Sequence, residues 1–449
     1  MSRPRVAVVG AGPAGAYVAG ELLRSRHQVQ VDLFERLPTP WGLLRGGVAP
    51  DHQEIKTLAL HFERDLMRPG CRFFGNAEVG VDISHDDLAR HYCAVVYAVG
   101  ARTDKRLGIP GEDLHGSLPA TEFVGWYNGH PDYCDLAPDL SGERAVVIGN
   151  GNVAADVARI LLRDPDELAM TDIADHALDA LRSSAIREVV VVGRRGPAQA
   201  AFTNAELREL GHMEGVDLVV DSGEVLLDPL SRAWLEAEGT FTARKNVELL
   251  QSFAANEPTG ARRRIVLRFL RSPVELRGAG RLEELELVRN ELRRDDGGPS
   301  RAAATDDREV MACDLVLRSV GYRAVPIPGV PFDERHYILP NEHGRVALGV
   351  YAVGWIKRGP TGILGTNKRD AEETAATLLA DLEAGVLPQP EFMDPAAIEA
   401  LLGDHVSFDG WEMIDRAEVA AGDAEGRPRV KRCTTHELVA LARERIEAT

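Results

Sequence analysis

The residues best placed to do chemistry in this sequence begin with glycines. Gly10-Ala11-Gly12-Pro13-Ala14-Gly15 follows a short β-rich run, Arg5 to Val9, and leads into a helical pattern from Ala16 to Leu23. In that setting Gly10 permits a tight turn, Gly12 lets the backbone touch a pyrophosphate, and Gly15 lets helix and strand pack closely. The start of the helix offers free amides and the positive end of its dipole to phosphate oxygens. A second strand, Gln28 to Phe34, ends at Glu35, a carboxylate placed to accept hydrogen bonds from adenosine ribose hydroxyls.

The pattern recurs. Ala145 to Ile148 ends at Gly149-Asn150-Gly151-Asn152-Val153-Ala154, with alanine as an accepted third residue, and a helix runs through Ala155 to Leu162. The following strand, Glu188 to Val192, ends not in a carboxylate but in Gly193-Arg194-Arg195. A carboxylate there repels a 2′-phosphate, whereas two guanidinium groups bind it through charge-assisted hydrogen bonds. The first site therefore predicts a cofactor without that phosphate, FAD, and the second predicts NADP(H). Two such sites in one chain predict a flavoprotein that takes hydride from a pyridine nucleotide.

These residues must be positioned by elements that are partly readable. Between the units lies a Pro/Gly-rich loop, Leu37 to Asp51, too unusual for a plain connector. A helix is expected from Gln53 to Met67, a buried strand at Ala94 to Val99, and a helix within Asp166 to Arg182. The pattern weakens from Val216 to Asp314, where Ile265 to Leu270 and Leu282 to Leu287 suggest a meander and Arg294 to Arg308 a polar loop. Leu315 to Val320 and Val350 to Val353 read as further strands, and Lys368 to Leu382 as a long helix. The expectation is an α/β fold with two Rossmann-like dinucleotide-binding domains, the NADP domain inserted into a discontinuous FAD domain. The expected boundaries are 1–106 and 315–449 for FAD and 107–314 for NADP.

The chain has 449 residues and a formal net charge of −18. So acidic a body argues against nucleic acid, and no apolar run is long enough for a spanning helix. Cys71, Cys93, Cys134, Cys313 and Cys433 lie far apart, which removes CxxC redox pairs, zinc modules and clustered iron–sulfur ligands. Reduced thiols in a cytoplasmic monomer are expected, with no metal site.

The stretches Leu37 to His52 (LPTPWGLLRGGVAPDH), Phe123 to Pro131 (FVGWYNGHP), Asp139 to Leu162, Val191 to Leu210 and Val353 to Lys368 (VGWIKRGPTGILGTNK) resemble the adrenodoxin reductase family, including its actinobacterial NADPH–ferredoxin reductases. The resemblance spans nearly the whole chain and is weakest at Val216 to Arg308. It implies hydride transfer from NADPH to flavin N5 and single-electron delivery to a ferredoxin, an acidic iron–sulfur protein. Carried over by residue, it assigns Gly10, Gly12, Ala14, Gly15, Glu35, Leu43, Val79, Trp355, Gly362, Ile363 and Leu364 to FAD. To NADP it assigns Lys105, Asn150, Gly151, Asn152, Val153, Arg194, Arg195 and Glu206, with Gly362 at the nicotinamide end. Lys105 stands where relatives carry arginine, so a bidentate fork is lost there. His52, Glu209 and Asp156 resemble active-site positions able to orient the nicotinamide or relay a proton.

Arginines at 262, 263, 264, 268, 271, 277 and 281, with Arg24, Arg26, His27 and Arg208, suggest a basic docking patch for an acidic partner. The alternatives fare worse. A flavin disulfide reductase needs a cysteine pair. A flavin monooxygenase motif is imitated at Phe123 to His130, but its histidine falls one position late. A module of a larger iron–sulfur enzyme usually carries a cysteine-rich extension. A flavin-bound sensor needs no NADPH specificity.

Overall fold

The computed structural model describes residues 3–294, 300–362 and 364–444. Two six-stranded sheets organise it. The first runs, edge to edge, Arg345–Ala347, Val350–Ala352, Ala94–Tyr97, Arg5–Val9, Gln30–Phe34 and Cys71–Phe74. All neighbours are parallel except the antiparallel edge strand Arg345–Ala347. Val6 and Val8 point into one core and Ala7 and Val9 into another, so both faces of the sheet are covered, as a parallel sheet requires.

The second sheet runs Ser117–Pro119, Leu315–Arg318, Arg144–Ile148, Glu188–Val192, Arg263–Arg268 and Val216–Val220, parallel throughout. In each sheet the strand before the glycine turn sits where the strand order reverses. Ligands of open α/β sheets bind at the carboxyl ends of strands at such a switch point. The two sheets are joined by a two-stranded antiparallel pair, Thr103–Asp104 with Tyr322–Arg323.

Several expectations need correction. Leu315–Arg318 pairs with Arg144–Ile148 in the second sheet, so the inserted domain runs past the expected end at 314 and the chain crosses back near Tyr322. The helix expected from Gln53 to Met67 is two, Gln53–Lys56 and Ala59–Leu66. Arg263–Arg268 joins the parallel sheet rather than a meander. The meander follows it as a three-stranded antiparallel sheet, Arg271–Arg277, Glu284–Arg293 and Arg301–Ala312. The expected polar loop overlaps its last strand; part of that loop, 295–299, lies outside the described residues. That strand is exposed along most of its length, so it carries no apolar run to mark it.

The helix after Gly362 spans Leu364–Glu383, and the tail holds an 18-residue helix, Phe408–Glu425, rather than short helices alone. No helix of the described residues is long and apolar enough to cross a membrane.

Candidate functional site

The helix Pro13–Leu23 starts at Gly12 with no side chain capping it, so its first amides are open to a ligand. Gly10 has φ +104°, and a Cβ on it meets the Ala98 carbonyl oxygen at 2.6 Å. A Cβ on Gly15 lies 1.9 Å from Gly10 O, which explains the close packing of strand on helix. Gly12 differs: its φ is ordinary and its Cβ meets only Gly42 Cα, at 3.9 Å. The space in front of Gly12 is a cradle bounded by Gly42, whose loop is tied down by the Trp41 N–H donating to Ala11 O at 2.9 Å.

Glu35 stands over this turn. Its carboxylate accepts from the Ala11 N–H at 2.9 Å and the Leu37 N–H at 3.1 Å. Burial raises its pKa, while those two amides work against the rise. Ala14 touches Gly354, since a Cβ on Gly354 lies 2.6 Å from Ala14 Cβ; this brings the C-terminal strand end onto the first turn. Trp355 follows, half-buried, its ring 5.0 Å from Tyr322. Leu43 is 41% exposed, and Val79 is half-buried against the outer core. Gly362 is exposed, with φ +86°. Ile363 and the side chain of Leu364 lie outside the described residues. An uncapped helix end, a cradle that a Cβ fills and a fixed acidic acceptor fit an adenine dinucleotide.

The second turn repeats the geometry. Gly149 has φ +129° and a Cβ there meets the Ser319 carbonyl oxygen at 2.1 Å. The helix Asn152–Leu162 starts at Gly151, again without a side-chain cap. Asn150 lies against Gly193, Asn152 Oδ1 accepts from the Thr203 N–H at 2.8 Å, and Val153 is half-buried. Lys105 is exposed, with its N–H donating to Gly321 O beside the crossing strands. Arg194 is exposed and Arg195 half-buried, and neither has a carboxylate partner among the described residues. Burial, then Arg194, lowers the pKa of Arg195.

Where the two domains meet, five charged groups gather on one arginine. Arg159, fully buried, donates to Asp51 at 2.6 and 3.0 Å, to Asp156 at 2.8 Å and to Glu206 at 3.3 Å, and lies 3.4 Å from Glu209. His52 Nε2 lies 2.9 Å from Glu209 Oε2 and 3.1 Å from Arg159 Nη2. That nitrogen either carries a proton and donates to Glu209 or is bare and accepts from Arg159; it cannot do both. The Glu209 hydrogen bond raises the His52 pKa, against burial and Arg159. Glu209 is correspondingly lowered, first by His52. Burial raises Asp156 and Glu206. Asp51 is held down to about 2, because Arg159 outweighs its burial.

The sequence reading brought His52, Asp156, Glu206 and Glu209 to this place but missed Arg159 and Asp51. The available signal was Arg159 interrupting an apolar helix one turn after Asp156. His52, Glu206 and Glu209 lie close enough to hold a metal ion, yet the Arg159 guanidinium already supplies their positive charge.

The expected docking patch does not form. Arg24 pairs with Glu21 and Asp65, Arg26 and His27 with Glu383, and Arg264 with Glu188. Arg268 and Arg271 pair with Glu224 and Glu309, Arg277 with Glu275 and Glu286, and Arg281 with Asp139 and Asp314. Arg263 donates to Leu162 O. Arg24 and Arg26 follow the far end of the first helix, and Arg263 and Arg264 begin their strand, both away from the edges that carry the glycine turns. A parallel sheet separates its amino and carboxyl edges by a strand length, which linear spacing along the sequence does not reveal.

A chain with two glycine turns at the switch points of two parallel sheets belongs to the two-dinucleotide flavoenzyme class. The profile of the pyridine nucleotide-disulphide oxidoreductase family matches residues 4–210. The five cysteines are nevertheless all free. NADPH-ferredoxin reductase FprA of Mycobacterium tuberculosis is 49% identical over 97% of this chain and 98% of that protein. The mitochondrial NADPH:adrenodoxin oxidoreductase of Salvelinus fontinalis is 43% identical over 98% and 92%. A solved structure of FprA from Mycobacterium tuberculosis in complex with NADPH superposes with TM-score 0.93 at 48% identity, covering 98% of this chain and all of that one. The chain belongs to the family of NADPH–ferredoxin and adrenodoxin reductases.

Proposed function

We propose that this protein is an FAD-dependent ferredoxin–NADP(+) reductase, passing electrons from NADPH to a ferredoxin-type iron–sulfur protein. The observation that carries it is the contrast between the two turns. One open helix end lies beside the fixed carboxylate of Glu35; the other lies beside the turn Gly193-Arg194-Arg195, whose two arginines have no carboxylate partner among the described residues.

In this reading Gly10, Gly12, Ala14 and Gly15 cradle the FAD pyrophosphate and Glu35 accepts from its ribose. Leu43, Val79, Trp355 and Gly362 line the rest of the site. Asn150, Gly151, Asn152 and Val153 cradle the NADP pyrophosphate, Lys105 adds charge beside it, and Arg194 and Arg195 take the 2′-phosphate. Glu206 and Gly362 face the nicotinamide end. FAD supplies the conversion of hydride into single electrons. His52 holds a proton at Nε2; Glu209 and Asp156 favour that state, and Arg159 favours its release. The names of the relatives support an iron–sulfur partner. The molecule acts as a cytoplasmic monomer.

An iron–sulfur acceptor takes one electron, so it must dock and leave twice per NADPH, which favours a small, electrostatically steered contact. Of the arginines first grouped as a patch, Arg208 is exposed, free of carboxylate partners among the described residues, and on the helix that carries Glu206 and Glu209. It anchors an acidic partner at the cleft. The test is NADPH-driven cytochrome reduction through purified ferredoxin. Arg208→Glu should slow it several-fold and remove much of its salt sensitivity, with screening acting over about 10 Å at 0.1 M salt. Reduction of a small neutral dye should change little. An equal fall in both rates contradicts the docking assignment, and absence of any ferredoxin-linked rate contradicts the function.

A further inference from the structure

The turn Gly193-Arg194-Arg195 is fixed entirely from one side. Gly193 O accepts from the Arg271 N–H at 3.0 Å, and Arg195 O accepts from the Leu270 N–H at 3.1 Å. Between them, Arg194 O accepts from the Asn290 side-chain amide at 2.9 Å. All three carbonyls are held by the segment that leaves the parallel sheet and builds the antiparallel one. A carbonyl can only accept, so the amide nitrogen of Asn290 must face it. The second hydrogen on that nitrogen goes to Ser272 Oγ at 2.8 Å. Asn290 is 4% exposed, its own N–H donates to Leu270 O at 2.8 Å, and it sits at a register irregularity between the strands Glu284–Arg293 and Arg301–Ala312. Leu270 itself has φ +54°, a strained value for a branched side chain.

The surrounding charges sharpen the picture. Four arginines crowd this corner, and the protein neutralises two of them. Arg268 and Arg271 are engaged by Glu224 and Glu309, while Arg194 and Arg195 have no carboxylate partner among the described residues. Preorganised donors bind better because little ordering remains to be done when the ligand arrives.

We propose that Asn290 is a positioning residue for nucleotide specificity: it fixes the Arg194 carbonyl from behind, so that the antiparallel sheet serves as the rigid back wall of the 2′-phosphate site. The proposal rests on the reading of Arg194 and Arg195 as the groups that bind that phosphate. Asn290 is buried, with both amide hydrogens spent on Arg194 O and Ser272 Oγ, so it acts through the turn. It therefore governs discrimination between phosphorylated and unphosphorylated riboses, and leaves the rest of the dinucleotide site alone.

The experiment uses the FAD-loaded protein, with adenosine 2′,5′-bisphosphate and AMP as calorimetric probes. A buried acceptor left without its donor is destabilising, and part of that cost appears as misplacement of the turn. Asn290→Leu should weaken bisphosphate binding about tenfold and raise the NADPH KM similarly, with kcat unchanged and AMP binding and NADH-driven reduction within about twofold. If Asn290→Leu yields no folded protein, Ser272→Ala, which frees the other side of the amide, should shift the same ratio about threefold in the same direction. Equal weakening of bisphosphate and AMP, or an unchanged ratio, overturns the role of Asn290. If the wild-type protein already binds AMP as well as bisphosphate, the reading of the two arginines falls, and the inference with it.

Discussion

One ring nitrogen of His52, Nε2, has two suitors. With a proton on Nε2 it donates to Glu209; without one it accepts from Arg159. Replacing Glu209 with glutamine removes the strongest of the groups that favour the protonated state and leaves the opposing guanidinium, so the imidazole should titrate at lower pH. The stability consequence has a definite window. His52 is raised in the native state, so its contribution is complete below the ordinary value of 6.5 and is lost as pH rises through the native value. Glu209 is lowered, so its contribution is present above 4.5 and lost as pH falls through its native value. Glu209→Gln should therefore destabilise the protein more near pH 6 than near pH 8.5. Because Glu209 is 35% exposed, screening holds the effect to about 0.5–1 kcal/mol. Denaturant unfolding at the two pH values, with NMR titration of the imidazole, checks both statements. The partners of His52 were legible because they lie in distinctive local stretches. Arg159 was not, because a buried arginine within an apolar helix looks, in sequence, like a snorkelling surface residue until its carboxylates arrive from other elements.

At the scale of elements, the two strand–turn–helix units were readable because everything that makes them is local: an apolar run, a glycine with positive φ and a helix start. Gly12 and Gly15 separate the two uses of such glycines. Gly15→Ala places a methyl group 1.9 Å from Gly10 O and should destabilise the fold by about 3 kcal/mol or more. Gly12→Ala meets only Gly42 Cα at 3.9 Å, so the apoprotein should fold with near-normal stability while its FAD affinity falls about tenfold or more. Thermal unfolding of the apoproteins and FAD titration distinguish the two; a Gly12→Ala protein that binds FAD normally contradicts the cradle. The antiparallel sheet was less legible. Its strands face solvent on one side, and in Arg301–Ala312 the exposed residues hide the alternation that would mark a strand. The strand Leu315–Arg318 was found but put in the wrong domain, because a buried parallel strand does not announce which sheet it joins.

Across the whole molecule, the tail sews the halves together. Lys431 pairs with Asp172 at 2.9 Å, Lys56 pairs with the same carboxylate at 2.6 Å, and Arg45 pairs with the fully buried Glu418 at 2.6 Å. Two lysines on one buried carboxylate leave an excess positive charge. Burial first, then Lys431, lowers Lys56 from 10.5 to about 7. Below that value the native protein bears the full cost of the buried ammonium. As pH rises towards 10.5 the unfolded chain keeps a proton that the native one has released, so native stability rises. Lys431→Met removes the like charge, restores Lys56 towards its ordinary value and should flatten this rise between pH 7 and 9. Denaturation midpoints at the two pH values test it, and an unchanged slope contradicts the shared-carboxylate account.

At this scale we propose that the molecule couples a site for FAD to a site selective for NADPH. Anaerobic stopped-flow bleaching of the bound flavin, by NADPH and by NADH, in the wild-type protein and in Arg194→Ala/Arg195→Ala, tests it most directly. Charged hydrogen bonds contribute about 1.5–3 kcal/mol each, so with some overlap the double variant should lose about 2–4 kcal/mol of NADPH binding while NADH kinetics hardly move. Equal loss with both nucleotides, or a flavin that neither nucleotide bleaches in the wild-type protein, contradicts it.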